Sequence, residues 1–341
     1  MKNIVILAFL ISSMVASGQH VKLVKDETGG KIQVLIDGKL FTSYCYPSNL
    51  EKPFLYPVHA PNGAIVTRGF PLEPRKGERI DHPHQVGLWF NYGNVNGLDF
   101  WNNSSAIPPE KKDEYGHIVV RKIVKAESGD KGTLEVLSSW ENSKGNILLD
   151  EDATYIFSGD DAGWTIDHIS ILTASNGPVV FDDNKEGMFA IRVDRSLEMP
   201  SEEAVIFTDE KGNPTTVKAM DNTGVTGMYI GSNGKKGDEV WGTRNKWVIL
   251  SGIQNGEPVS LAIFDNPKNT GFPAYFHARG YGLFSVNNLG QNSYDTDAEK
   301  VVHKLATGES LKLIHRFYVQ SGTELTPDDA EKIFREFSNT Y

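Results

Sequence analysis

Short strand-like runs, separated by turns rich in glycine and aspartate, recur along most of this chain and restrict its fold more than any other feature. Apolar and polar residues alternate in many of these runs, as they do on a strand with one buried face. The predicted strands fall at residues 117–125, 133–140, 153–157, 163–172, 179–181, 188–193, 247–254, 259–264, 275–287 and 311–320. With almost no helical periodicity between them, they predict an all-β sandwich that forms one large domain.

Two further segments have more specific local patterns. Residues 31–46 predict a hairpin, because alternating runs flank an Asp37-Gly38 turn. Near the C-terminus, Thr326 followed by Pro327 is typical of the start of a helix. An apolar stripe then predicts one helix on the flank of the sandwich, formed by Ala330, Ile333, Phe334 and Phe337.

The first part of the chain has the pattern of a secretory signal peptide. Lys2 precedes a largely apolar stretch at residues 4–15, and small residues precede Gln19. This stretch is too short to cross a bilayer as a helix. We therefore predict a signal peptide at 1–18, a single domain at 19–341, and export to the periplasm or beyond. The single cysteine, Cys45, allows no internal disulfide, which favours a bacterial periplasm.

The composition excludes two classes of partner. With 34 Lys and Arg against 44 Asp and Glu, the chain has a formal net charge of −10. Such a chain is a poor candidate for binding nucleic acid or an anionic membrane surface. No later stretch is apolar enough for membrane insertion. A small anionic ligand in a locally basic pocket remains compatible with these numbers, and the sequence does not indicate the oligomeric state.

Candidate functional side chains are most concentrated at residues 81–101, DHPHQVGLWFNYGNVNGLDFW. His82 and His84 are two positions apart, so on a strand both imidazoles would point into one pocket. Pro83 donates no ladder hydrogen bond, which places the pair at a strand start, an edge or a bulge. Trp89 and Tyr92 follow as candidate aromatic walls.

Two later segments supply further polar groups. In FDDNKEG at residues 181–187, Asp183 and Glu186 are candidate ligand-binding or basic groups, although composition alone favours a solvated turn. Arg192 follows and is a candidate ion-pair partner for one of these acids. In FHARGYGLF at residues 276–284, His277 and Arg279 occupy one strand face. That face also carries Tyr275 and Tyr281, and such side chains suit a sugar.

These segments leave metal binding open. A His-x-His pair chelates a divalent metal when further ligands are near. Asp183, Glu186 or His277 would supply them only if the fold brings them together. The sequence therefore predicts no certain cofactor.

The three segments together resemble the bacterial family named methane oxygenase PmoA-like, over most of the chain. In that family a third histidine often follows the pair, whereas this chain has Gln85. The name fits poorly in its chemistry, because no membrane spans are present. The family is similar in fold to galactose-mutarotase-like proteins. The resemblance implies a large antiparallel β-supersandwich and a carbohydrate ligand.

We expect His82, His84, Glu186, His277 and Arg279 to converge in one pocket. The leading hypothesis is a lyase or dehydratase acting on oligosaccharides that contain a uronic acid. Arg279 would clamp the carboxylate, His84 or His277 would act as the base, and Tyr275 or Tyr281 as the acid.

Two alternatives stay open. The first is an aldose-1-epimerase-like mutarotase, in which Glu186 and either His84 or His277 share the proton transfers. The second is a glycan-binding protein without catalysis. In each case the predicted substrate-binding set is the same, namely His82, Arg279, Trp89, Tyr92, Tyr281, Arg192 and Asp183.

Overall fold

The computed structural model describes residues 20–26 and 29–341. Within them the strands are Val21–Asp26 (β1), Lys31–Ile36 (β2), Lys39–Cys45 (β3), Phe54–Leu55 (β4), Leu88–Tyr92 (β5), Gly116–Glu127 (β6), Gly132–Asn142 (β7), Ile147–Gly159 (β8), Trp164–Thr173 (β9), Val179–Asp182 (β10), Gly187–Arg192 (β11), Met228–Gly231 (β12), Thr243–Asn245 (β13), Trp247–Gln254 (β14), Glu257–Asp265 (β15), Ala274–Arg279 (β16), Leu283–Asn287 (β17), Val302–Leu305 (β18) and Ser310–Ser321 (β19). One α-helix, Pro327–Thr340 (α1), follows them.

Two large antiparallel sheets form the sandwich. The nine-stranded sheet has the order β1-β2-β3-β4-β5-β11-β17-β16-β13, and the eight-stranded sheet has the order β12-β14-β15-β19-β9-β8-β7-β6. A small sheet pairs β10 with β18. One apolar cluster draws residues from both large sheets, including Phe90, Phe189 and Val286 from the first and Val136, Ile166 and Phe317 from the second. The predicted all-β sandwich with a C-terminal helix is confirmed.

The local patterns that were most specific in the sequence form the predicted elements. β2 and β3 pair as a hairpin, and Asp37 and Gly38 have φ of 48° and 78°. A two-residue type I′ turn needs positive φ at both central positions, which Gly adopts freely. At the start of α1, the side chain of Thr326 accepts a hydrogen bond from the backbone of Asp329.

The helix α1 covers the outer face of the eight-stranded sheet. Phe334 and Phe337 pack in a second apolar cluster with Trp247, Phe264 and Ile314. Burying each phenyl ring stabilises the docked helix by about 2 kcal/mol. The stripe predicted from the sequence is therefore the docking face of α1.

Several expectations need correction. The run at 275–287 is two strands joined by a turn at residues 280–282, because Gly282 has φ of 94°. His82 and His84 lie before β5 rather than in a strand, and His82 has φ of 47°. The predicted signal peptide lies outside the described residues, and the boundary between 18 and 19 stays a prediction. Within the described residues, no helix is long and apolar enough to span a membrane.

Candidate active site

The outer face of the nine-stranded sheet carries most of the candidate residues in aligned rows. His277 on β16 lies opposite Ser285 on β17, which lies opposite Ala190 on β11, and Ala190 pairs with Trp89 on β5. Directly paired residues of antiparallel strands project to the same face. Two small side chains therefore separate a histidine from a tryptophan across the sheet.

The next row along the same strands carries the arginines. Arg279 on β16 and Arg192 on β11 both pair with Leu283 on β17. Because side chains alternate, these residues share the outer face with His277. The register explains why the 181–192 and 275–284 segments meet, although they are far apart in sequence.

Glu186 and His277 form the central pair of this face. The Nδ1 of His277 lies 3.7 Å from Glu186 Oε2 and 3.2 Å from the backbone oxygen of Lys185. Lys185 Nζ contacts the other carboxylate oxygen, Oε1. Glu186 Oε2 is buried and has no hydrogen-bond partner. An unpaired buried carboxylate oxygen is costly unless a ligand satisfies it.

The protonation state of His277 follows from its surroundings. Burial lowers its pKa to about 3, and the charges of Lys185 and Arg279 act in the same direction. The imidazole is therefore neutral near pH 7. Since the carbonyl oxygen of Lys185 only accepts hydrogen bonds, Nδ1 carries the proton in that contact and Nε2 is left as an acceptor.

His82 approaches this pair from a different segment. Its ring stacks on Tyr281 with centroids 5.0 Å apart and planes 5° apart, and its side chain is 40% exposed. His82 Nδ1 lies 3.3 Å from Asp81 Oδ1. The charge of His82 adds to the lowering of the His277 pKa. Burial raises the pKa of Tyr281, and the charge of Glu186 raises it further. The site thus has an accessible imidazole backed by a carboxylate.

Buried arginines hold Asp81 in place. Arg192 Nη2 donates to Asp81 Oδ1 at 2.7 Å, and Arg68 Nη1 donates to the same oxygen at 2.9 Å. Burial alone would raise the pKa of Asp81, but Arg192, His82 and Arg68 hold it well below its usual range. Arg192 also donates to Gln85 at 2.5 Å. The sequence suggested Arg192 as a partner for the acids at 182–186, whereas the structure pairs it with Asp81.

Arg279 and Trp241 extend the site into a groove of 530 Å³. The Arg279 guanidinium carbon lies 5.6 Å from the Trp241 ring centroid and 5.7 Å from that of Tyr281. Among the residues that the structure describes, no carboxylate lies within ion-pair distance of Arg279. Trp241 was not among the site residues predicted from the sequence, but its ring centroid lies 6.3 Å from that of His277 and it lines this groove.

Three predicted residues are buried away from this groove. His84 is 8% exposed, and burial and the charge of Lys52 lower its pKa to about 2. Tyr275 is 7% exposed, stacks on Tyr294 at 5.0 Å and lies under Arg244. Trp89 is 2% exposed and packs against Trp101. None of the three lines the groove, and their roles as base, acid and aromatic wall stay predictions.

Tyr92 and Asp183 have structural partners. Tyr92 is fully buried, and its hydroxyl donates to the backbone oxygen of Asp182. The predicted ligand contact of Tyr92 stays a prediction. The Asp183 carboxylate accepts hydrogen bonds from backbone N–H groups of four residues, namely Gln291, Asn292, Ser293 and Val301. Burial opposes the ionisation of Asp183, but these donors outweigh it and lower its pKa. Its predicted ligand-binding capacity is therefore already occupied.

The predicted metal ligands do not assemble into a cluster. In residues 20–26 and 29–341, no group of three or more His, Cys, Asp or Glu side chains is arranged to hold a metal ion. His82 and His84 have rings 5.6 Å apart but differ in exposure. Metal dependence of any activity stays a prediction.

Solved structures similar to this chain include several carbohydrate-active enzymes. An α-galactosidase from Geobacillus stearothermophilus is 12% identical, with 88% of this chain and 40% of that chain covered and a TM-score of 0.38. A galactose mutarotase related enzyme from Lactobacillus acidophilus is 10% identical, with 89% and 98% covered and a TM-score of 0.27. A putative aldose 1-epimerase from Escherichia coli K12 is also 10% identical, with 88% and 98% covered and a TM-score of 0.24. The chain spans 41% and 40% of the lengths of the first two α-galactosidase structures it matches.

The sequence comparisons identify a family without an assigned activity. No curated protein matches this chain. The model described as Family of unknown function (DUF6807) matches residues 31–335. The name methane oxygenase PmoA-like, expected from the motifs, is not supported by this match. Because the match covers most of the chain, the protein belongs to this family of unknown function, DUF6807.

Proposed function

We propose that this protein acts on carbohydrates and interconverts the anomers of a sugar, as an aldose-1-epimerase does. The observation that carries this proposal is Glu186 Oε2, which lies beside His277, is buried and has no hydrogen-bond partner in the described part of the chain. The accessible imidazole of His82 stacks on Tyr281 and is close enough for its charge to act on His277. Anomer interconversion needs a base for the anomeric hydroxyl and an acid for the ring oxygen. A base and an acid from different segments meet that need.

Glu186 is assigned as the base. Its Oε2 has a free lone pair in a buried position, where a substrate hydroxyl satisfies it and loses its proton to it. Lys185 on Oε1 and His277 next to Oε2 fix the carboxylate. The neutral His277 offers Nε2 as an acceptor for a neighbouring hydroxyl, which orients the sugar.

His82 is assigned as the acid. In its protonated form His82 holds one N–H against Asp81 Oδ1, and the second proton, on Nε2, is the one given to the ring oxygen. As the ring oxygen takes this proton, the bond from that oxygen to the anomeric carbon breaks and the open-chain aldehyde forms. Rotation about the adjacent carbon–carbon bond exposes the other face, and the two proton transfers reverse on closure. Trp241 supplies a ring face for the apolar side of the sugar.

Elimination on a uronic acid is the second candidate, and one observation favours it. Arg279 points a guanidinium without a carboxylate partner into the groove, where it would bind a sugar carboxylate. Of the two bases and two acids open to elimination, His277 lies beside Trp241 and Tyr281 lines the groove, whereas His84 and Tyr275 do not line it. A glycan-binding protein without catalysis needs none of these groups.

The test uses the full chain and a panel of freshly dissolved monosaccharides and oligosaccharides, including uronic-acid-containing ones. Proton NMR follows the rate at which the anomers equilibrate, and absorbance follows the unsaturated product of elimination. We expect the protein to accelerate anomer exchange over the uncatalysed rate. Glu186→Gln should lower the catalysed rate about 10²–10⁴-fold. Glu210→Gln, at an exposed residue paired with Lys76, is the matched control.

Each other outcome counts against the proposal. An increase in the absorbance of the unsaturated product would identify the reaction as elimination. Saturable binding with no change in any anomer signal identifies a binding protein. Anomer exchange that is equally fast in Glu186→Gln and in the parent rules out Glu186 as the base.

A further inference from the structure

Lys52 is buried in a second site that the proposed mechanism does not use. It lies in the loop between β3 and β4, and only 6% of the residue is exposed. Its Nζ donates to the backbone oxygen of His84 at 2.7 Å and lies 5.4 Å from the centroid of Trp89. A buried ammonium normally has a carboxylate partner. In the described part of the chain, none lies within ion-pair distance of Lys52.

The nearby acids are committed elsewhere. Glu51 pairs with Lys112 at 2.7 Å. Asp99 accepts hydrogen bonds from the backbone of Trp101 and Asn102. Both carboxylates only partly offset the cost of burying the Lys52 amine, and its pKa falls to about 7. Much of this amine is therefore unprotonated at neutral pH, while an ordinary lysine is almost fully protonated.

Lys52 is also a lining residue of two cavities. Lys52 lines a small, mainly apolar cavity of 30 Å³ together with His84, Phe54 and Val86. It also lines a larger cavity of 520 Å³. His84 Nε2 is buried and has no hydrogen-bond partner. An unprotonated amine beside an unpartnered imidazole, with access from a larger cavity, is the arrangement of a carbonyl-reactive lysine.

We propose that Lys52 is a reactive amine that forms an imine with a small aldehyde entering from the larger cavity. The Lys52 nitrogen attacks the carbonyl carbon, and the carbonyl electron pair moves to oxygen. Both protons of the attacking amine leave with that oxygen as water, and a C=N bond remains. This site is independent of Glu186 and of the proposed function.

The test is reductive trapping of the full chain with glycolaldehyde and sodium cyanoborohydride, which reduces any imine to a stable amine. Peptide mapping by mass spectrometry compares Lys52 with Lys332, whose side chain is 70% exposed. At neutral pH we expect Lys52 to be labelled on the order of tenfold faster than Lys332. Lys52→Arg removes that label, and Lys332→Arg is the matched control.

The pH dependence of labelling in the unaltered protein tests the proposal even if Lys52→Arg does not fold. Labelling of Lys52 should reach a plateau above about pH 8, while labelling of Lys332 continues to rise towards about pH 10. Groups whose charges act on Lys52 are Asp99, Glu51 and His84, and His84 stays neutral over this range because its pKa is about 2. Labelling of Lys52 that is no faster than that of Lys332, or absent, overturns the proposal.

Discussion

His82 and His84 are two positions apart in the chain and their rings are 5.6 Å apart, yet they occupy opposite environments. His82 is partly exposed, stacks on Tyr281 and has a carboxylate at Nδ1. His84 is buried, has no partner for Nε2 and lies near the Lys52 ammonium. The same side chain is thus suited to donate a proton in one place and to stay neutral in the other. Burial and charge, rather than residue type, determine which one takes part in acid–base chemistry.

The largest expected effect separates these two histidines by activity. His82→Asn should lower the rate of anomer exchange about 10²–10⁴-fold, because the acid for the ring oxygen is lost. His84→Asn should keep the rate within a few-fold of the parent, because His84 is buried and has no part in the proposed proton transfers. NMR rates at equal protein concentration check this pair. Equal losses in both variants would remove the distinction between the two sites.

The second effect concerns the stability of the arginine network behind His82. Asp81→Asn leaves the buried Arg192 and Arg68 without their shared carboxylate, and we expect unfolding free energy to fall by about 3 kcal/mol. Urea denaturation at pH 7 measures this change. Asp37→Asn, at a side chain that is 66% exposed, is the control and should change stability by less than about 1 kcal/mol. A loss as small as the control's would show that Asp81 does not anchor the loop.

The third effect is the pH dependence of stability from buried neutral histidines. The pKa values of His277 and His168 are lowered to about 3, so in the folded state they take up protons only in strong acid. The unfolded chain takes up those protons as pH falls below about 6.5. Stability should therefore decrease from pH 6.5 towards pH 3, by up to about 1.4 kcal/mol per pH unit for each histidine. Denaturation series at several pH values test the slope, and His277→Gln should reduce it.

The smallest effect distinguishes two tryptophans. Trp241→Phe should raise the KM for sugars a few-fold with little change in stability, because its ring lines the groove. Trp89→Phe should lower stability by about 1 kcal/mol with no change in KM, because that ring is buried against Trp101. Steady-state kinetics measure the KM of both variants, and urea denaturation measures their stability. An unchanged KM in Trp241→Phe would remove Trp241 from the site.

The sequence predicted those parts of the fold that short-range patterns determine. The β2–β3 hairpin and α1 follow from a turn and a cap that lie within a few residues of each other. β5 was not predicted as a strand, because every one of its residues is buried and no alternation marks it. The loop ahead of β5 was interpreted as a strand because its two-residue histidine spacing matched one.

The candidate site was only partly predictable for a related reason. Motif residues such as His82, His277 and Glu186 were recognisable by type, but their partners come from distant positions. Arg192 and Asp81 are separated by 111 positions, and only the sheet register brings them together. No local pattern distinguishes the exposed His82 from the buried His84, because burial depends on which segment packs over each ring.

The carboxylate of Asp183 has a consequence for local dynamics. It accepts hydrogen bonds from the amides of Gln291, Asn292, Ser293 and Val301, all outside the strands β17 and β18. Amide hydrogens in irregular segments usually exchange rapidly with solvent. Here the Asp183 carboxylate accepts the hydrogen bonds that a neighbouring strand would accept in a sheet. These four amides should therefore be protected from exchange as one unit. In acid, once the carboxylate takes up a proton and loses its charge, these four amides should lose protection together, measured against the intrinsic exchange rate at the same pH.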